Sequence, residues 1–121
     1  MQHGAQAYKN VAKETSSARE LEASLLLKSA ARFQAIHDGW ERRKVELNDA
    51  LLFNRKLWTL FLDAVMREDN PLPMSIRQNV ASLGVFVINR TLKLTSNPQP
   101  DGLGSLININ RKIASGLRNK A

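Results

Sequence analysis

His3 and His37 are the only imidazoles in the chain, and no cysteine accompanies them. His3 stands near the start, and His37 on the inner edge of a helical pattern. Neither has a second ligand at metal-binding spacing, or a nucleophile and acid to serve. Glu20 and Glu22 come nearest to a carboxylate pair. Two residues apart on a helix, they point to different faces and cannot work as an acid/base couple. The lack of cysteine removes thiolate nucleophiles, thiolate zinc sites and disulfides together. There is no phosphate-cradling glycine loop, no dinucleotide fingerprint and no H-E-x-x-H run. These residues speak against an enzyme and against a bound metal or cofactor.

Charge points instead toward a partner. The 121 residues carry a formal net charge of +7, and the excess is lopsided. From residue 71 onward seven basic side chains (Arg77, Arg90, Lys93, Arg111, Lys112, Arg118, Lys120) face the single Asp101. A one-sided excess suits an acidic protein surface or a nucleic acid, and equally a plain solvated face. Single-strand recognition also wants rings interleaved with the cations. Phe53, Trp58, Phe61 and Phe86 all fall on apolar stripes, and residues 87–121 contain no aromatic residue. No stretch has the length of a signal-peptide core or a membrane span, so a soluble, cytoplasmic protein is expected.

The elements that position these residues are helical. Ala5, Tyr8, Val11 and Ala12 suggest a short helix over 4–14, within an N-terminal segment, 1–16, that has little to hold it down. Ser17 and Glu20 have the spacing of a capping box, predicting a helix over 18–38. Its stripe is Leu26, Ala30, Phe33 and His37. Residues 41–68 carry two adjoining stripes, one of them through Leu47, Leu51, Asn54, Trp58, Phe61 and Val65, so this helix should be central. A helix over 74–95 shows Ile76, Val80, Leu83, Val87 and Leu94 on one face, with Phe86 beside it. The Pro/Gly loop 96–105 precedes a last helix over 103–118, with Leu106, Ile109, Ile113 and Leu117 in line. The expectation is all-α: one domain, 1–121, folded as an antiparallel bundle of four long helices plus a short N-terminal one.

The corner between the two most apolar helices is "NPLPMSIRQN", residues 70–79. Pro71 and Pro73 push Asn70 and Leu72 out of the helical region, ending one helix and starting the next. Leu72 should fold back as a staple-like contact. Arg77 opposes the dipole of its own helix, and Glu68 or Asp69 is the expected counter-charge, a partner contact being the other reading. The aromatic stripe reads either as core alone or as core plus a groove for a partner helix.

In this order "SARELEASLLLKSAARF", "ALLFNRKLWTLFLDAV", "NPLPMSIRQNVASLGVFV" and "LININRKIASGL" resemble the FlaF family of flagellar biosynthesis regulators of alphaproteobacteria. The most specific residues are Asn54, Arg55, Leu57 and Trp58, then Asn70, Pro71, Leu72, Pro73 and Arg77, then Ile109, Asn110 and Arg111. Ala18 stands where the family usually has proline, a mild departure. The resemblance implies a non-enzymatic protein needed for flagellin synthesis and filament assembly, acting post-transcriptionally. A flagellin-binding chaperone is the mechanism expected. Direct contact with the flagellin mRNA leader, or an adaptor role through the repressor FlbT, are the alternatives. For a flagellin groove the expected residues are Trp58, Phe61, Leu83, Phe86 and Val87, rimmed by Arg90, Lys93, Arg111 and Lys112. Asn54, Asn110 and Arg111 could instead form a buried polar network between helices.

Overall fold

The computed structural model describes residues 2–119, with side chains from Ser17 onward. It is helical throughout, with no strand among the described residues. Helix α1 spans Gln2–Asp38, α2 is the single turn Trp40–Arg43, α3 spans Leu47–Met66, α4 Met74–Ser96 and α5 Leu103–Asn119. A 3-10 turn, Lys44–Glu46, leads into α3, and another, Pro100–Gly102, leads into α5.

The expected break near Ser17 is absent. Between Gly4 and Gly39 the sequence has neither glycine nor proline, so nothing interrupts the backbone ladder and the short N-terminal helix is simply the start of α1. Ser17 is therefore mid-helix and has no N-cap to make. Glu20 is instead gripped by Arg118 of α5, whose Nη2 donates to Oε1 at 2.8 Å. The side chains of residues 1–16, including the stripe through Tyr8 and Val11 and the expected looseness of this segment, lie outside the described residues. The third helix also begins later than expected, at Leu47, because residues 40–46 turn as a separate α-turn and 3-10 turn after Gly39.

The helices form two antiparallel pairs. Residues 26 and 110 meet across α1 and α5, as do 20 and 118, so α5 runs back along α1. In the other pair Gly84 of α4 faces Leu62 of α3, while Thr91 and Thr95 lie beside Leu51 and Arg55. A Cβ on Gly84 would stand 2.6 Å from Leu62 Cδ1. The glycine is what lets these two helices approach so closely. The pairs stack through Leu26, Phe33, Ile36, Leu51, Trp58, Phe61, Val65, Val87 and Leu106, all buried. Such burial stabilises by about 1.5–3 kcal/mol for each large side chain.

Candidate functional site

The corner after α3 is built as a cap. Asn70 donates from Nδ2 to the Ala64 carbonyl at 3.0 Å, while its Oδ1 accepts from the Leu72 backbone N–H at 2.9 Å. With Pro71 and Pro73 fixing the chain on either side, Leu72 is driven into the core. Arg77 does not pair with Glu68 or Asp69 as expected. Its guanidinium donates to the Val65 carbonyl through Nε and to the Arg67 carbonyl, at 2.6 Å, through Nη2. The Val65 carbonyl belongs to the last turn of α3, and the Arg67 carbonyl just past its end also accepts from the Asn70 backbone N–H at 3.1 Å. A cation badly placed for its own helix is well placed for the negative end of the preceding one.

Asn54 and Asn110 are fully buried and do form a polar network between helices. The indole of Trp58 donates from Nε1 to Asn110 Oδ1 at 2.9 Å. Asn110 Nδ2 then donates to Asn54 Oδ1 at 2.8 Å and, at 3.3 Å, to the Leu26 carbonyl. Ser29 Oγ also donates to Asn54 Oδ1, at 2.8 Å. An indole N–H can only donate and a carbonyl can only accept, so the orientation of both amides is forced. Asn54 Nδ2 is left with no partner among the described residues. Ser29 was legible only as a serine beside an apolar stripe. Arg111 stays outside this network: it is exposed and reaches Gln34 of α1 at 3.5 Å.

Trp58 and Val87 cannot line a groove, because each is completely covered. Phe61, also buried, does floor one. An apolar cleft of about 90 Å³ opens between α4 and α5, walled by Ile76 and Val80 on one side and Ile113, Gly116 and Leu117 on the other. Leu72 closes it at the corner, and Lys112 stands at its rim. Farther along α4, Leu83 is half-buried against the core. Phe86 is 40% exposed, and the Arg90 guanidinium carbon lies 5.2 Å from its ring centroid. Arg90 and Lys93 line a second hollow with Asn97 and Gln99, at the far end of α4. Of the expected rim, Arg90, Lys93 and Lys112 are therefore on α4 or at the cleft, and Arg111 faces α1. Of the wall residues, Ile76 and Ile113 were read from sequence as members of apolar stripes and not as groove walls, and Gly116 was not singled out. A Cβ on Gly116 would meet nothing within 4 Å, so the glycine widens the cleft mouth.

A polar hollow of about 230 Å³ lies on the other side of Leu72, between α1 and the corner, and includes Arg19, Glu22, Arg67 and Asp69. Burial there pushes the Glu22 carboxyl above the usual range, partly opposed by Arg19. On the surface, Asp38 Oδ1 accepts from the His37 ring Nδ1, 3.1 Å away. That contact, with a further one from Gln34, holds the Asp38 carboxyl below its ordinary value. No group of three potential metal ligands gathers among the described residues. No helix of the described residues is long and apolar enough to cross a membrane.

The fold and its surface define a small all-helical protein whose buried polar groups serve the packing, with an open apolar cleft that has Lys112 at its rim. Its sequence matches the model of the family described as flagellar protein FlaF over residues 4–117, and the chain belongs to the FlaF family. No curated protein and no solved structure matches it significantly.

Proposed function

We propose that this flagellar protein binds flagellin as a chaperone, taking an amphipathic flagellin helix along the α4–α5 cleft. The observation that carries the reading is the cleft itself: an almost wholly apolar trough, floored by Phe61 and walled by Ile76, Val80 and Ile113. Small residues and half-buried aliphatics in a row accept the apolar face of a helix. Farther along α4 the exposed Phe86, with Arg90 over its ring, offers a further apolar contact, and Arg90, Lys93 and Lys112 suit acidic positions on the incoming helix's flank. Cover of this kind would keep flagellin from assembling early and would tie its supply to its synthesis.

Calorimetric titration with purified flagellin tests it. Micromolar or tighter binding is expected, weakened at least about tenfold by Phe86→Glu, on the exposed side of α4 beyond the trough. No heat at micromolar concentrations, or binding indifferent to that substitution, would count against the chaperone reading. The basic excess of the C-terminal half favours a second reading, direct contact with the flagellin leader RNA. That reading requires affinity falling steeply with salt, which a leader transcript titrated at two ionic strengths would reveal.

A further inference from the structure

The α4–α5 cleft is too narrow to admit the body of a helix. Leu72, Val80 and Leu117 border it, yet each is at most 7% exposed, so its walls stand closer together than the roughly 10–12 Å diameter of an α-helix. It is also short. Ile76 and Val80 are one turn apart, about 6 Å at 1.5 Å per residue, and Leu72 closes one end. The next apolar residues along the two helices, Leu83 and Ile109, pack on the core instead. The volume of about 90 Å³ is well below the roughly 150 Å³ of a cavity that admits benzene. What fits is one aliphatic side chain of leucine size.

Two residues of α5 govern what carries that side chain. Gly116 is exposed at the mouth, and a Cβ there would meet nothing within 4 Å. With no side chain in the way, the backbone of an incoming helix can lie close to α5 and lower a side chain of its own toward Phe61. Lys112, one turn before Gly116, is the one charged residue lining the cleft. No ion pair among the described residues engages it. Its ammonium therefore suits a carboxylate on the partner. The spacing of Lys112 from Gly116 sets that carboxylate one turn, three or four residues, from the inserted side chain.

We infer that the cleft is a socket for a single leucine-sized aliphatic side chain on a partner helix, with an aspartate or glutamate three or four residues away meeting Lys112, and that Gly116 sets the selectivity by keeping the mouth open. Alanine leaves the socket unfilled, and an indole exceeds it. The inference rests on the reading of the cleft as a helix site, but does not require that the helix be flagellin's.

Methyl NMR of the full chain, followed at Ile76, Val80 and Ile113, tests it, with circular dichroism to verify that each variant stays helical. The probe is an alanine-based helical peptide with one leucine and a glutamate four residues to either side. It should shift these methyls at millimolar concentration. The same peptide with alanine or tryptophan for the leucine should bind at least about tenfold more weakly. Lysine for both glutamates should weaken it roughly threefold, and Lys112→Glu should recover that loss. Gly116→Leu fills the mouth at a position open to a side chain and favourable to the helix, and should abolish the shifts. Purified flagellin is titrated in parallel. Flagellin bound equally by wild type and Gly116→Leu overturns the socket and leaves the chaperone reading standing. A peptide that follows these rules while flagellin fails to bind does the reverse. No shift from the leucine peptide, or shifts indifferent to its leucine, overturns the inference outright.

Discussion

Asn110 holds more than its size suggests. It accepts from the indole of Trp58 and donates to Asn54 and Leu26, so α1, α3 and α5 meet at one amide. Asn110→Leu would strand the Trp58 N–H with no acceptor and deprive Asn54 Oδ1 of one of its two donors. That should cost about 2–4 kcal/mol. Asn54→Leu should cost less, because it also removes the amide nitrogen that has no partner. Urea titrations of the two variants check the order. At this scale the sequence said that asparagines on apolar stripes must find each other. It could not say that Arg77 would find carbonyls, because main-chain acceptors at a helix end leave no mark in the side-chain sequence. Arg111 was misplaced for a related reason: it adjoins Asn110 in sequence, but a turn of 100° per residue carries it to the solvent side.

Among the elements, α4 and α5 were legible to within a residue, since prolines and glycines bound them, whereas α3 starts six residues later than the 41 expected. The first was not, because Ser17 and Glu20 satisfy a capping pattern that only matters where a helix actually begins. Continuity across residues 5–38 depended instead on the lack of any breaker. Close approach was equally hidden. Gly84 is one small residue on an apolar face, and only the packing shows Leu62 against it. Gly116 is the contrasting case, a helical glycine with open space where a Cβ would lie. Gly116→Ala should raise stability by about 0.5–1 kcal/mol through helix propensity alone, read as an upward shift in thermal midpoint. A fall would mean that the α5 wall of the cleft closes up more than the structure indicates.

For the whole molecule, apolar stripes told which residues leave water but not which element covers them. Val87 shares a stripe with the wall residues Ile76 and Val80, and Trp58 shares one with the floor residue Phe61, yet Trp58 and Val87 turned out completely covered. The basic excess was plain from the sequence, yet its sorting was not: Arg90 and Lys93 lie along α4, Lys112 at the cleft, Arg118 on Glu20 and Arg77 inside the corner.

The corner bears on the order in which the chain folds. Arg77 reaches back only 12 residues to Val65, whereas Asn110 meets Leu26 across 84. Loop closure favours the nearer contact, so the α3–α4 hairpin is the natural folding nucleus and α5 docks on α1 afterwards. Arg77→Ala, losing two charge-assisted bonds worth about 2 kcal/mol together, should slow folding and leave unfolding nearly unchanged. Asn110→Leu should instead speed unfolding. Stopped-flow chevrons would separate them, the first variant moving the refolding limb and the second the unfolding limb. In kinetic terms the two prolines and one arginine at residues 71–77 would then serve as the chain's starting point.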